Sequence, residues 1–190
     1  LDHTFVLKRA SCLVNPRAGY ESELHFSPTT RPAKIAVVGA GPAGLAFATV
    51  AARRGHKVTL YDAADAIGGQ FNLAKQIPGK EEFYETLRYF NTELALSGVD
   101  VRLSTRVDAD GLLGCGFDKV VLATGVQPRM LGIPGEDHPK VVSYADVLTR
   151  KAVVGEAVAI VGAGGIGFDV AEFVGHRADE APRLPDDTSP

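Results

Sequence analysis

The chain has 190 residues, of which 45% are hydrophobic and 23% charged, and its formal net charge is −3. This composition is typical of a globular protein with a hydrophobic core, and the lack of a long basic run argues against a nucleic-acid partner. The apolar runs are too short for a membrane span, the two cysteines give no disulfide framework, and no secretory signal is evident, so a cytoplasmic location is expected. Because the sequence begins at Leu1 without Met, we expect it to be part of a longer polypeptide.

The predicted elements follow one another along the chain in an α/β pattern. Residues 1–33 contain prolines and lack periodicity, which predicts a connecting segment. Hydrophobic runs and their flanking glycines then predict helices and strands. The helices are expected at 43–54, at 81–97 and directly after the second glycine-rich run at 162–167. The strands are expected at 34–38, 57–61, 99–103, 119–122 and 157–161. The polar, proline-rich end of the chain, 175–190, is predicted to be mobile.

A glycine-rich fingerprint, Gly-Ala-Gly-Pro-Ala-Gly, occupies residues 39–44 between a predicted strand and a predicted helix. That order is the setting of a dinucleotide-binding turn. Gly39, Gly41 and Gly44 would permit the tight turn, the approach of the backbone to a pyrophosphate, and the packing of helix on strand. Pro42 and Ala43 open the helix, whose first N–H groups attract phosphate. We therefore predict a dinucleotide at this turn.

A second fingerprint, Gly-Ala-Gly-Gly-Ile-Gly, occupies residues 162–167, with Gly162, Gly164 and Gly167 at the three key positions. The chain becomes polar after Val174, so the strand that would complete the ribose end of this unit is not expected. The predicted fold is α/β, with a parallel sheet in a Rossmann-like dinucleotide-binding domain at 34–150. The beginning of a second, truncated nucleotide-binding unit is predicted at 151–174.

Three further features point to the ligand of the first fingerprint. Asp62 ends the second strand, where a carboxylate hydrogen-bonds ribose hydroxyls and repels a 2′-phosphate, which indicates FAD or NAD. The alternative is that Asp62 only caps the following turn. Two further backbone segments can approach a bound ligand, one at Gly69 and Gln70 and one at Ala123, Thr124 and Gly125. These additional segments favour FAD, which is larger than NAD. The alternative is that each of these glycine clusters forms an ordinary turn without a ligand.

Longer motifs resemble one enzyme family. They are Ser-Cys-Leu-Val-Asn-Pro-Arg at 11–17, Ile-Gly-Gly-Gln-Phe-Asn at 67–72, Ala-Lys-Gln-Ile-Pro-Gly-Lys-Glu-Glu-Phe at 74–83 and Gly-Gly-Ile-Gly-Phe-Asp at 164–169. Together with the first fingerprint they resemble bacterial NADPH-dependent 2,4-dienoyl-CoA reductase. The resemblance implies the electron-input part of a longer oxidoreductase, in which electrons pass from NADPH to FAD, to a [4Fe–4S] cluster, to FMN and to a dienoyl-CoA. By this resemblance residues 34–150 are the FAD-binding domain, and residues 151–174 are the beginning of an NAD(P)H-binding domain.

The resemblance also implies particular contacts with FAD, at Ala43, Asp62, Gln70, Lys80 and Val107. Ala43 would lie at the pyrophosphate, Asp62 at the adenosine ribose, and the Val107 backbone at the adenine edge. For Lys80 the alternative is a solvated lysine at a helix start. Asp169 either approaches the nicotinamide or is an ordinary helix carboxylate, and no catalytic side chain is predicted.

Cys12 is the candidate metal ligand. Its sequence context resembles the fourth ligand of the family's [4Fe–4S] cluster, which needs four thiolates. The alternative is a small buried hydrophobic side chain. The other three thiolates, and a flavin barrel that binds FMN and substrate, would precede Leu1. This chain alone is therefore not expected to hold the cluster, and neither Cys115 nor the histidines match a metal-binding spacing.

Two other functions stay open on this sequence. One is a FAD- or ADP-binding module without turnover. The other is the tail of a different flavin-barrel enzyme, either trimethylamine dehydrogenase-like or an enoate reductase. The substrate and the choice between NADPH and NADH depend on segments that these residues do not include.

Overall fold

A parallel β-sheet organises the first part of the chain in the computed structural model, which describes residues 2–12, 15, 17–129 and 131–176. Within these residues the order across the sheet is β3-β2-β1-β4, and all neighbouring strands are parallel. This arrangement confirms the predicted α/β class. The strands are β1 (Lys34–Val38), β2 (Lys57–Tyr61), β3 (Asp100–Arg102) and β4 (Lys119–Leu122).

Helices connect the strands and continue beyond them. Those in the described residues are α1 (Asp2–Phe5), α2 (Pro42–Arg53), α3 (Phe71–Ala74), α4 (Glu82–Ser97), α5 (Ala109–Leu113), α6 (Tyr144–Leu148) and α7 (Gly165–Gly175). The predicted helices α2 and α4 are confirmed to within a residue or two, and α7 confirms the helix predicted after the second glycine-rich run. None of the helices in these ranges has the length and apolar character needed to cross a membrane.

The β1–α2–β2 segment forms because the residues at the ends of its helix and the burial of its apolar side chains favour the same structure. Pro42 stands in the first turn of α2, where its missing N–H and fixed φ suit a helix start. Gly55 has a φ of +96° just after the helix ends, a conformation that glycine adopts without strain. The apolar side chains of the strands and helices then form one core, to which Ile35, Val37, Leu45, Leu60, Phe90 and Leu94 all contribute.

The described residues divide into two compact units. Unit 1 comprises residues 1–67 and 88–124, and unit 2 comprises residues 68–87 and 125–190, each as far as described. Unit 2 has its own apolar cluster, formed by Ile77, Val147, Leu148 and Val170. The division into a FAD-binding domain at 34–150 and an NAD(P)H-binding beginning at 151–174 stays a prediction. The predicted mobile tail lies outside the described residues after His176.

The strand predicted at 157–161 is wrong. These residues form neither strand nor helix, and Val161 is 77% exposed. A hydrophobic run becomes a strand only where its backbone N–H and C=O groups find partners on a neighbouring strand. No strand in the described part of the chain pairs with this run, so its apolar composition alone does not produce a strand.

Two leucines of α4 allow a matched test of the core. Leu94 is 4% exposed and packs in the core of unit 1, whereas Leu96 is 77% exposed. We expect L94A to lower the free energy of unfolding by about 2–5 kcal/mol, because it leaves a cavity. L96A should change it by less than about 0.5 kcal/mol. Urea denaturation measures both, and equal losses in the two variants would contradict the packing of α4 described above.

Candidate functional site

The first fingerprint folds into a tight turn between β1 and α2. Gly39 has a φ of +108°, and its N–H donates to the Tyr61 carbonyl at 2.7 Å. A Cβ on Gly39 would overlap the Ala123 carbonyl, and a Cβ on Gly44 would overlap the Gly39 carbonyl. Gly41 caps α2 in extended conformation, with nothing within 4 Å of the place of its Cβ. Glycine is therefore needed sterically at positions 39 and 44, and Gly41 leaves open space for a ligand.

Asp62 lies beside this turn at the end of β2. Its Oδ2 accepts a hydrogen bond from the Ala40 N–H at 2.6 Å, and its Oδ1 accepts one from the Ala64 N–H at 2.8 Å. The carboxylate therefore caps the following turn and also borders the fingerprint, so the two predicted alternatives are compatible. Each carboxylate oxygen has a second lone pair available for a ligand hydroxyl.

The other residues of unit 1 that were predicted to contact the ligand lie in two places. Ala123 and Thr124 follow β4 at the fingerprint, and the Ala123 N–H donates to the Val38 carbonyl at 2.8 Å. Val107 instead packs its side chain in a cluster with Tyr61 and Leu112. The structure thus brings the fingerprint, Asp62 and the end of β4 together. The contact of the Val107 backbone with adenine stays a prediction.

The second fingerprint, in unit 2, adopts the same backbone geometry as the first. Gly162 has a φ of +116°, close to the +108° of Gly39. Gly164 caps α7 with a ψ of −179°, as Gly41 caps α2 with a ψ of 179°. A Cβ on Gly167 would overlap the Gly162 carbonyl, which repeats the contact between Gly44 and Gly39. The turn therefore forms without a paired strand before it.

Both fingerprint helices present a favourable charge distribution to an anion. Neither α2 nor α7 has an acidic residue in its first turn. The partial positive charge of the unpaired N–H groups at each helix start is therefore not cancelled locally. Each turn has the shape and the charge that suit a pyrophosphate.

The remaining predicted residues belong to unit 2. Gly69 has a φ of +52°, and the Gln70 amide donates to the Val126 carbonyl at 3.4 Å, which places the first glycine cluster beside Gly125. Lys80 is not simply solvated, because its Nζ lies 2.6 and 2.7 Å from the two carboxylate oxygens of Asp169. Sequence reasoning missed this ion pair, since no local signal connects residues so far apart.

The described residues do not fit a metal cluster by themselves. They contain no group of three or more His, Cys, Asp or Glu that could hold a metal ion. Cys12 and Cys115 are both exposed, and the Cys115 thiol donates to the Gly111 carbonyl at 3.0 Å. In these residues Cys12 is not a buried hydrophobic side chain, and its role as a cluster ligand stays a prediction.

Residues 33–182 match the model of the pyridine nucleotide-disulphide oxidoreductase family. The chain belongs to this family. Membership implies the binding of FAD and NAD(P), in agreement with two fingerprints in one chain.

Comparisons with curated proteins and with solved structures also relate the chain to oxidoreductases. The chain is 42% identical to a metal reductase from Desulforamulus reducens, over 90% of this chain and 26% of that protein. It is 42% identical to an N,N-dimethylglycine/sarcosine dehydrogenase from Chromohalobacter salexigens, over 76% of this chain and 21% of that protein. It is 34% identical to a 2-naphthoyl-CoA reductase in complex with 2-naphthoyl-CoA, with a TM-score of 0.85 over 90% of this chain and 26% of that one. The chain thus spans about a quarter of these relatives and is related to oxidoreductases.

Neighbouring glycines of the first fingerprint give a matched test of its turn. G44A should lower the free energy of unfolding by about 3 kcal/mol, because the new methyl group meets backbone that cannot move aside. G41A should change it by less than about 1 kcal/mol, because that position is open and its φ is −76°. Urea denaturation of both variants measures the difference. Comparable losses would show that the close approach at Gly44 does not shape the turn.

Proposed function

We propose that this chain is the FAD- and NAD(P)H-binding, electron-input part of a longer flavin and iron–sulfur oxidoreductase that resembles 2,4-dienoyl-CoA reductase. The observation that carries the proposal is the repeated backbone geometry of the two fingerprints, each at the start of a helix without an acidic first turn. Membership in the family and the similarity to reductases support it.

FAD fits the first fingerprint. The open space at Gly41 admits a pyrophosphate to the N–H groups at the start of α2, next to Pro42 and Ala43. The Asp62 carboxylate, held by the Ala40 N–H at 2.6 Å, would accept hydrogen bonds from the ribose hydroxyls of bound FAD. The other residues proposed to contact FAD are Gly69, Gln70, Lys80, Val107, Ala123, Thr124 and Gly125.

NAD(P)H fits the second fingerprint because its helix start is also open to a pyrophosphate. A Cβ at Gly164 or Gly165 would meet nothing within 4 Å, so the start of α7 is open to a pyrophosphate. When bound, the two cofactors supply the redox chemistry, a hydride passing from the nicotinamide to the flavin. The residues of this chain bind and orient the two dinucleotides, and none is assigned a proton-transfer role.

The wider reaction belongs to the longer polypeptide. We propose that Cys12 contributes one thiolate to a [4Fe–4S] cluster, whose other ligands come from outside the described residues. A flavin barrel of the same polypeptide would bind FMN and a dienoyl-CoA. The 2-naphthoyl-CoA reductase, which is named for a CoA thioester, favours this substrate class.

A second candidate is a trimethylamine dehydrogenase-like enzyme, which the similarity to N,N-dimethylglycine/sarcosine dehydrogenase favours. The natural full-length polypeptide discriminates between the two. Oxidation of NADPH that depends on added 2,4-dienoyl-CoA supports the reductase. Bleaching of the flavin by dimethylglycine without a pyridine nucleotide supports the dehydrogenase and contradicts the reductase.

Asp62 provides a direct test of FAD binding. D62A should weaken FAD binding by about 1.5–3 kcal/mol, because a hydrogen bond to a charged group is lost. D65A removes the same charge from an exposed position in the same loop and should bind FAD as the wild type does. Calorimetric titration measures all three proteins. If the wild type binds a 2′-phosphorylated adenosine nucleotide as tightly as FAD, the ribose role of Asp62 is wrong.

The rival function, a binding module without turnover, is tested by flavin reduction. No strand follows α7 within the described residues, so none of these residues is proposed for the ribose end of the second dinucleotide. We expect NADPH to bleach FAD in this chain slowly compared with the full-length metal reductase from Desulforamulus reducens, because imprecise placement of the nicotinamide removes several kcal/mol of catalytic advantage. Stopped-flow absorbance gives both rates. Equal rates would show that residues 157–176 already form a complete site.

A further inference from the structure

We propose that the outward face of α2 is the docking surface for an amphipathic helix from another part of the longer polypeptide. This face consists of Ala46, Phe47 and Val50. The docked helix would place apolar side chains on the face and a carboxylate beside Arg54. The inference rests on the proposed function in one respect, because it assumes that this chain belongs to that longer polypeptide.

Helix α2 is apolar on its outward face as well as on the face that packs in the core. Thr49 is the one polar side chain between Pro42 and Ala52 in the sequence. It is 5% exposed, and its hydroxyl donates to the Leu45 carbonyl at 2.9 Å. Phe47, by contrast, is 40% exposed. Because a helix that is apolar all round is normally buried on every side, we expect the outward face to be covered in the longer polypeptide.

Helix α4, which packs in the same core, supplies an internal comparison. Its inward side includes the buried Leu94, whereas Arg88, Asn91 and Thr92 are exposed. Helix α4 therefore has the polar outward residues that a helix in contact with water usually has. The outward face without polar side chains is thus particular to α2.

The outward residues of α2 have the spacing of a helix-packing surface. Ala46 and Val50 stand four residues apart and form a ridge, and Phe47 stands three residues before Val50 on the same side. Helices pack by fitting the side chains of one into the grooves beside such ridges of the other. The small side chain of Ala46 leaves room for this beside the Phe47 ring, so a second helix fits the face.

The end of α2 is already covered by this chain. The Thr29 N–H donates to the Arg54 carbonyl at 2.7 Å, and the Arg54 Nε donates to the Ser27 carbonyl at 3.0 Å. These contacts hold the segment before β1 at the last residues of the helix. The surface left open is therefore the middle of α2, at Ala46, Phe47 and Val50.

The charges at the end of α2 indicate the chemistry of the partner. Arg53 forms an ion pair with Glu93, whereas the Arg54 Nε bonds a neutral carbonyl. A second copy of α2 would match poorly. Packed antiparallel, it would bring the arginines to the positive start of the other helix, and packed parallel, it would set them against one another. A helix with a carboxylate beside Arg54 avoids both repulsions.

The relatives of this chain provide the source of such a helix. The chain spans about a quarter of the relatives that it matches, so most of such a polypeptide consists of other residues. An internal partner also loses less freedom on docking than a separate protein, because the linked chain keeps it close to α2. The proposal therefore commits to a helix of the same polypeptide from outside residues 1–190.

Hydroxyl-radical footprinting compares the wild-type side chains of this chain with those of the natural full-length polypeptide. Phe47 should be oxidised about five- to tenfold more slowly in the full-length polypeptide, because a covered side chain is as little exposed as the core residue Leu94, at 4%. Tyr89 is the matched control, since it is an aromatic residue of α4 that is 42% exposed. Its oxidation rates in the two proteins should agree within about twofold.

Photo-cross-linking identifies what covers the face. p-Benzoylphenylalanine in place of Phe47 keeps an aromatic side chain at the centre of the surface. In the full-length polypeptide it should cross-link to a helix outside residues 1–190, next to an Asp or Glu of that helix. The same replacement of Tyr89 should not cross-link to that helix.

Other results would overturn the inference. They are equal oxidation of Phe47 in the two proteins, equal protection of Phe47 and Tyr89, or a cross-link from position 47 to residues 1–190 of the same or a second copy. The flavin absorbance of the same samples after addition of FAD tests the proposed function separately. A full-length polypeptide that binds no FAD contradicts the proposed function, whereas Phe47 alone decides the docking surface.

Discussion

The close approach of a helix start to the preceding backbone turn is the constraint on which both candidate sites depend. In each fingerprint the carbonyl of the first glycine occupies the space that a Cβ on the last glycine would need. This contact brings the first N–H groups of α2 and α7 to the surface with open space before them. In the first fingerprint the same packing places the end of β4 over Gly39 and the Asp62 carboxylate against the Ala40 N–H.

The two sites share this backbone geometry and differ in the groups around it. The first is built into a parallel sheet, so strand ends supply its neighbours and a carboxylate stands where a ribose is expected. The second forms without a paired strand, and its neighbours are an apolar cluster and the Lys80–Asp169 ion pair. Under the proposed function, the common turn binds the pyrophosphate, and the residues around it select the dinucleotide.

The sequence predicted those parts of the fold that depend on local signals. Hydrophobic periodicity and flanking glycines predicted β1, β2, β4, α2 and α4. In these segments the local sequence pattern agrees with the strand pairing or helix packing of the fold. The run at 157–161 has the composition of a strand, but no strand in the described ranges pairs with it, and a local pattern does not reveal pairing partners. Helix α6 was missed although Ser143 accepts from the Asp146 N–H at 3.1 Å, a capping pattern that sequence reasoning could have used. The Lys80–Asp169 pair depends on tertiary packing and had no sequence signal.

Hydrogen–deuterium exchange of the backbone amides tests most directly whether the two fingerprints bind different dinucleotides. The N–H groups of residues 39–41, 43–45 and 162–168 would be followed in this chain with FAD, with NADH and with neither. FAD should slow exchange at the first fingerprint, and NADH should slow it at the second. Protection of the same segment by both ligands, or of neither segment by either, would contradict this expectation.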